Sequence, residues 1–359
     1  MNRFAFIIHP LQVEDYFRKF PFLKRFPARI IENTFRYLPA MKVSKIEGVK
    51  SPWAEVEGYF IACPLTTRQL LTLPEQVALS KIQEAVKLAE KLGAQVVGLG
   101  AATSVVGDAG ITIAKNSNIP VTTGNSYTVA SAMEAAIKAA NLMDIDLKSA
   151  SVAVLGATGS IGSVIAKLMA SKCKNLILLG RSDYKLAKLA RTIMYEDGIA
   201  TEISSDTKNV LRKADIIFAV TSAVDTVIDP EDLKPGAVVC DVARPRDVSL
   251  MVEKKRKDVL VIEGGVIQVP GPVNFNFNFG FPPGLAYACM AETMILALEG
   301  RFESYSLGRE LSIEKVKEIE KLAQKHNFRL AGMRSFEKKI TEEKIKEIKL
   351  NALRRLQAI

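Results

Sequence analysis

Histidine, tryptophan and cysteine are all scarce in this 359-residue chain, at two, one and four residues. With only His9 and His326 available, an imidazole-rich metal site is excluded. Cys63, Cys173, Cys240 and Cys289 stand far apart with no Cys-x-x-Cys spacing, which argues against a disulfide framework and against a thiolate zinc site. Long apolar runs are missing as well. Stretches such as 96–100 and 216–220 fall far short of the roughly 20 residues that span a bilayer. Residues 4–8 are too short, and lack the following cleavage-like site, for a secretory signal, so a cytoplasmic location is expected.

What remains is ordinary in bulk: 48% hydrophobic and 25% charged residues, as in average globular chains. The length implies two domains, or one large domain with an annex. The net charge is +10, and the first fifty residues carry ten basic side chains against four acidic ones. Such a surface attracts phosphates, acidic proteins, nucleic acid or anionic lipid, unless it is simply a solvated face.

Residues 3–8 and 56–62 read as strands, the first ending at His9-Pro10. Pro74 opens a helix through Lys91, and 128–142 reads as a small-residue helix. From Ser151 apolar strands alternate with helices, which indicates a parallel sheet covered on both faces. After Pro283 the pattern is mostly helical, over 286–298, 313–326 and from Thr341. The expected fold class is α/β: an N-terminal α/β substrate domain (1–148), a Rossmann NADPH-binding domain (149–283) and a C-terminal helical segment (284–359).

Gly156, Gly159 and Gly162 stand between the strand at 151–155 and the following helix, spaced Gly-x-x-Gly-x-x-Gly. The first permits a tight turn, the second lets backbone N–H groups approach a pyrophosphate, and the third lets helix and strand pack closely. Phosphate would then lie on the helix N-terminus, over Thr158, Ser160 and Ile161. The next strand ends in Arg181 and Ser182, which suit a 2′-phosphate where NAD-specific sites place a carboxylate; NADPH is expected, with Asp183 close by. Thr221 and Ser222, at the end of a later strand, are either cofactor contacts or turn caps.

The segments FAFIIH, VEGYFIACPL, GLGAATSVV, TTGNSYT, VAVLGATGSIGS, LAYACMAETMIL and SLGRELSIEKV are dispersed from residue 4 to about residue 329. Together they resemble the long-chain fatty acyl-[acyl-carrier-protein] reductases, aldehyde-forming enzymes of the cyanobacterial type. The resemblance implies NADPH-dependent reduction of an acyl thioester to a free fatty aldehyde. It implies acyl carrier protein or coenzyme A as acyl donor, an aldehyde-consuming partner enzyme, and a fold like shikimate dehydrogenase and glutamyl-tRNA reductase. It also implies that Cys289, in LAYACMAE, is the nucleophile. Residues 274–284 and the tail beyond Arg329 depart from the pattern, which leaves acyl chain length open.

The chemistry itself needs one cysteine. A thiolate that takes the acyl group by exchange holds it as an enzyme thioester for hydride addition. A cysteine in an apolar helix is ordinarily a buried small hydrophobe, and Cys173 and Cys240 keep that reading, whereas Cys63 beside Pro64 could face a cleft. His9 is the one plausible imidazole partner, or else a structural strand-end residue. Glu292, one helical turn from Cys289, shuttles a proton or serves packing. Ser126 and Thr128 bind an oxyanion or the nicotinamide amide, or the segment caps a helix through Asn125 or Ser126. The Asn/Phe alternation at 274–279 lines an acyl tunnel or forms a half-buried hairpin. The basic N-terminal region is expected to dock an acidic carrier protein.

A shikimate- or quinate-type NADP-dependent dehydrogenase is the main rival. It lacks support in that no Asn-Val-Thr-x-Pro-x-Lys-like segment occurs and Asn125 is followed by Ser126-Tyr127. A dinucleotide-binding regulator that uses the basic region on nucleic acid is the other. Without a helix-turn-helix, zinc or aromatic RNA-binding motif, specific nucleic-acid binding is not expected.

Overall fold

A computed structural model describes residues 1–18, 20–223 and 226–358. In chain order it begins with β1 (Asn2–Ile8), two 3-10 turns, α1 (Ala28–Phe35), β2 (Met41–Lys50) and β3 (Glu55–Ala62). Next come α2 (Thr67–Thr72), α3 (Glu75–Lys91), β4 (Val96–Leu99), α4 (Ile111–Lys115), β5 (Val121–Thr122) and α5 (Asn125–Leu142). The alternating region then runs β6 (Ser151–Leu155), α6 (Ser160–Ala170), β7 (Asn175–Leu179), α7 (Asp183–Asp197), β8 (Glu202–Ser204), α8 (Thr207–Leu211) and β9 (Ile216–Ala219). It closes with β10 (Val238–Asp241), α9 (Leu250–Lys255) and β11 (Leu260–Glu263); α10 (Ala288–Leu298), α11 (Ile313–Lys325) and α12 (Glu342–Gln357) follow.

The chain forms two units, Met1–Tyr127 with Ile267–Arg329 and Thr128–Val266 with Leu330–Ile359. The first holds a five-stranded sheet ordered β2-β3-β1-β4-β5, parallel except for the β2–β3 pair. Strand alternation sorts its core into two layers. Ala5 and Ile7 of β1, with Ile61, Val97 and Leu99, pack against Ala78, Ile82 and Ala85 of α3. Phe4 and Phe6 point to the opposite face, over Gly58, Gly98 and Gly100, where any Cβ would lie within 2.7 Å of a ring carbon. There α10 packs on β1 and β4, with the Thr293 hydroxyl in the space that Gly98 leaves.

The second unit is a six-stranded sheet ordered β11-β10-β9-β6-β7-β8 whose registered pairs are all parallel. Apart from the edge strand β8, its strands are mostly apolar, and β9, β10 and β11 are buried throughout. This is the doubly wound order with a reversal between β6 and β9, where ligands bind in such folds. The expected α/β class, with a Rossmann parallel sheet and C-terminal helices, is the one observed.

The unit boundaries differ from the expected 148/149 and 283/284. Helix α10 joins the N-terminal sheet, and α12 joins the Rossmann unit, where Arg355 lies 3.3 Å from the Asp258 carboxylate. Both assignments rest on packing between residues far apart in sequence, which local pattern does not register. The stretch 274–279 is not a hairpin either: Asn276 has φ +48°, and among the described residues its one bridge to a strand is the isolated pair Glu47–Asn274. Among the described residues no helix is long and apolar enough to cross a membrane.

Candidate active site

The dinucleotide turn takes the form its glycines imply. Gly156 follows β6 with φ +89°, and a Cβ there would sit 2.8 Å from the Val220 carbonyl oxygen at the end of β9. At Gly162 a Cβ would meet the Gly156 carbonyl oxygen at 2.3 Å, so only glycine lets α6 lie this close to the turn. Gly159 is the N-cap of α6, exposed and with no side-chain cap. A Cβ at Gly159 would find only the Gly156 oxygen, at 3.3 Å, so the approach to the helix N-terminus is open. Thr158, Ser160 and Ile161 border this opening, each partly exposed. The cradle therefore fits a pyrophosphate on the first turn of α6.

Arg181 is exposed just beyond β7, and Ser182 caps α7 by accepting from the Lys185 N–H at 3.4 Å. Thr221 is committed within the fold. Its N–H donates to Asp247 Oδ2 at 2.9 Å and its hydroxyl bonds Asp247 Oδ1. Burial pushes the Asp247 carboxyl up to about 6, against the pull of those two donors. Ser222 is exposed at the same sheet edge.

In the first unit the two most specific sequence segments, TTGNSYT and AYACMAE, meet. Gly124, with φ +72°, lies against α10: a Cβ there would sit 2.3 Å from Cys289 Cα and 2.7 Å from its carbonyl oxygen. Helix α10 starts at Ala288, after a short strand at Leu285–Tyr287, and its N-cap Tyr287 offers no side-chain cap. Cys289 is thus the second helical residue, in a helix that starts two residues later than the expected 286. Ala286 and Tyr287 also suit a helix, but they pair in the strand that precedes it. At the positive end of the helix dipole an anion is stabilised, and the half-buried Cys289 is placed there.

The other cysteines are placed differently. Cys63 and Cys240 are buried, and desolvation raises both thiols, that of Cys63 to about 11. Cys63 therefore faces no cleft. Cys173 lies just past the end of α6 and not on it; its Sγ is 3.3 Å from the Met169 carbonyl, and burial raises it to about 11.

Glu292 organises the meeting point. It is completely buried, yet Oε1 accepts from the Ser306 hydroxyl at 2.7 Å and from the Thr122 hydroxyl, and Oε2 accepts from the Tyr127 N–H at 2.8 Å. Burial raises its pKa and these donors oppose the rise. Glu292 therefore caps the first turn of α5, a role assigned from sequence to Asn125 or Ser126. Ser126 is fully buried, its N–H donating to Ser306 Oγ at 3.2 Å and its hydroxyl 2.7 Å from that oxygen. Of the two roles open to it, oxyanion binding or helix capping, Ser126 stands in the cap network; Thr128 stands in the same first turn. Spacing shows Glu292 one turn from Cys289 but not its partners, which come from 165 and 170 residues away or across a loop.

His9 is also committed to the main chain. Nδ1 is 3.0 Å from the Pro10 carbonyl oxygen, and Nε2 accepts from the Ala102 N–H at 3.1 Å. Loss of hydration pushes its pKa down to about 4, so the ring is neutral at physiological pH and pins the loop after β4. With both nitrogens engaged it is a structural strand-end residue, not the imidazole partner of Cys289.

Gly124→Ala should be costly, since the left-handed conformation and the collision with Cys289 backbone both oppose a methyl group. A loss of about 2–4 kcal/mol in unfolding free energy is expected from denaturant titration. Parent-like stability would mean that the close approach of Gly124 to α10 is relieved at little cost.

Residues 134–263 match the shikimate/quinate 5-dehydrogenase family. Aminotransferase PigE of Serratia sp. is 32% identical over 97% of this chain, and the match covers 42% of that protein. The chain thus spans less than half the length of this relative. The long-chain acyl-[acyl-carrier-protein] reductase of Synechococcus elongatus is 27% identical, over 81% of this chain and 87% of that enzyme. Among solved structures, glutamyl-tRNA reductase from Methanopyrus kandleri aligns at 17% identity and a TM-score of 0.32, over 82% of this chain and 61% of that one.

Fold and glycine turn define the second unit as a Rossmann-type α/β unit. The stretch similar to shikimate/quinate 5-dehydrogenases lies within this unit and holds the glycine turn, and Cys289 lies outside it.

Proposed function

We propose that this chain is an NADPH-dependent reductase that converts an acyl thioester to a fatty aldehyde through an acyl-enzyme on Cys289. The observation that carries this reading is the place of Cys289: half-buried, in the first turn of α10, beside the Gly124 backbone. Similarity to the Synechococcus reductase supports it across most of both chains.

In the proposed reaction the Cys289 thiolate adds to the thioester carbonyl. The carrier or coenzyme A thiol leaves, taking a proton, and the acyl group stays on Sγ. Gly156, Gly159 and Gly162 would hold the dinucleotide, and NADPH when bound would supply the hydride that reduces this thioester to a thiohemiacetal. Collapse of the thiohemiacetal returns the Cys289 thiolate and frees the aldehyde. The helix dipole stabilises the thiolate at both ends of the cycle. The Glu292 network holds the backbone around Cys289 and takes no proton from substrate in this scheme.

An apolar acyl group suits the surroundings. Ring contacts run from Phe60 to Phe275 at 5.8 Å, to Phe279 at 5.1 Å, to Phe281 at 5.9 Å and to Tyr287 at 4.6 Å. The run ends at the N-cap of α10, two residues before Cys289. An aldehyde product also needs a consumer, and aldehydes are acceptors for amino-group transfer, the activity named for the Serratia relative.

Product analysis with acyl-carrier and acyl-CoA thioesters tests the reading directly; NADPH consumption without free aldehyde would overturn it. The cofactor assignment has its own test. Arg181→Ala should weaken NADPH binding roughly ten- to over a hundredfold, the loss of about 1.5–3 kcal/mol in a charge-assisted contact, and leave NADH nearly unchanged. Equal losses for the two dinucleotides in titration calorimetry would remove Arg181 from the 2′-phosphate site.

A further inference from the structure

Residues 10–18 and 20–38 form a small lobe with a core of its own, Val13, Tyr16, Leu23 and Ile31, supported by Phe17, Phe20 and Phe35. The Tyr16 hydroxyl ties it to the Pro64 carbonyl at 2.7 Å. With that small core satisfied, the outer side of the lobe is left in solvent, and its composition is unusual. Phe22 is 62% exposed, Phe26 52% and Ile30 55%, at four-residue intervals. Between them stand Lys24, Arg25 and Arg29, all exposed and in no ion pair among the described residues. No acidic residue occurs from Tyr16 to Ile31.

Cations alone would answer to any acidic partner, the carrier protein expected from sequence included. Three large apolar side chains held in water among those cations call for a partner that is anionic at its surface and apolar just beneath. A bilayer interface with acidic headgroups has that layering over a few ångströms. We propose that residues 21–30 dock this protein on an anionic lipid surface. Phe22, Phe26 and Ile30 enter the headgroup region, and Lys24, Arg25 and Arg29 pair with lipid phosphates. The inference rests on this lobe alone and holds whether or not Cys289 carries an acyl group.

The test is co-sedimentation of the full chain with phosphatidylcholine vesicles, with and without phosphatidylglycerol. Binding is expected only with the anionic lipid and should weaken as salt rises. The triple variant Phe22→Ser, Phe26→Ser, Ile30→Ser should lower the partition coefficient about tenfold or more. Lys24→Glu, Arg25→Glu, Arg29→Glu should lower it on the order of a hundredfold. All six side chains are exposed, so melting temperatures should match the parent and exclude misfolding as the cause. Failure of the parent to bind anionic vesicles, or undiminished binding by both variants, would overturn the proposal. So would capture of an acidic acyl carrier protein that needs the cations and not the apolar residues, in the absence of vesicle binding. A concentration-dependent rise in mass abolished by the serine variant would assign the surface to a second copy instead.

Discussion

Cys289→Ser should bind NADPH as the parent does and lose aldehyde formation by about six orders of magnitude, the scale seen when a covalent nucleophile is removed. The parent, given acyl thioester without NADPH, should gain the mass of one acyl group, and peptide mapping should find it on Cys289. Adding NADPH should discharge it as aldehyde. Dinucleotide binding survives because the Gly156–Gly162 turn belongs to the other unit of the chain. Cys63→Ser, Cys173→Ser and Cys240→Ser should keep substantial activity. At Cys63 and Cys240 a hydroxyl replaces a fully buried thiol, so any loss there should follow stability. Aldehyde production by Cys289→Ser near the parent rate would mean direct hydride transfer to the donor thioester, and the covalent route would be wrong.

A second large effect is expected at Glu292. Its carboxylate answers the Thr122 and Ser306 hydroxyls and the Tyr127 N–H in a region closed to water. Glu292→Ala removes the acceptor and leaves those donors buried without it, which should cost about 3–5 kcal/mol of stability. Glu292→Gln keeps the volume and one acceptor oxygen but turns an NH2 group toward donors, so an intermediate loss is expected. Chemical denaturation of both variants separates the cases. Acyl-enzyme formation on Cys289 should fall further than stability explains, because the network also fixes where Gly124 meets α10. An alanine variant as stable as the parent would show that water enters and replaces the carboxylate.

The nucleotide unit was legible in the residues because its signals are local. Continuous apolar runs make buried parallel strands, and three glycines at fixed spacing make a turn that a Cβ would block at Gly156 and Gly162. Helix α3 was legible for the same kind of reason, with Pro74 before it and Gly93, at φ +81°, after it. The long strand β2 was not, since its polar residues (Lys42, Ser44, Lys45, Glu47) mask the alternation on a sheet edge.

Around Cys289 the sequence by itself determined the residue types and their resemblance to a reductase family. Only the tertiary structure decided that α10 starts at Ala288, that Gly124 lies against its first turn, and that Glu292 caps α5 while His9 and Ser126 serve the fold. The physical reason is that these are long-range contacts. A helix start is set where the preceding strand stops pairing, and a buried carboxylate is set by donors that the chain delivers from distant segments, neither of which leaves a periodic trace in neighbouring residues.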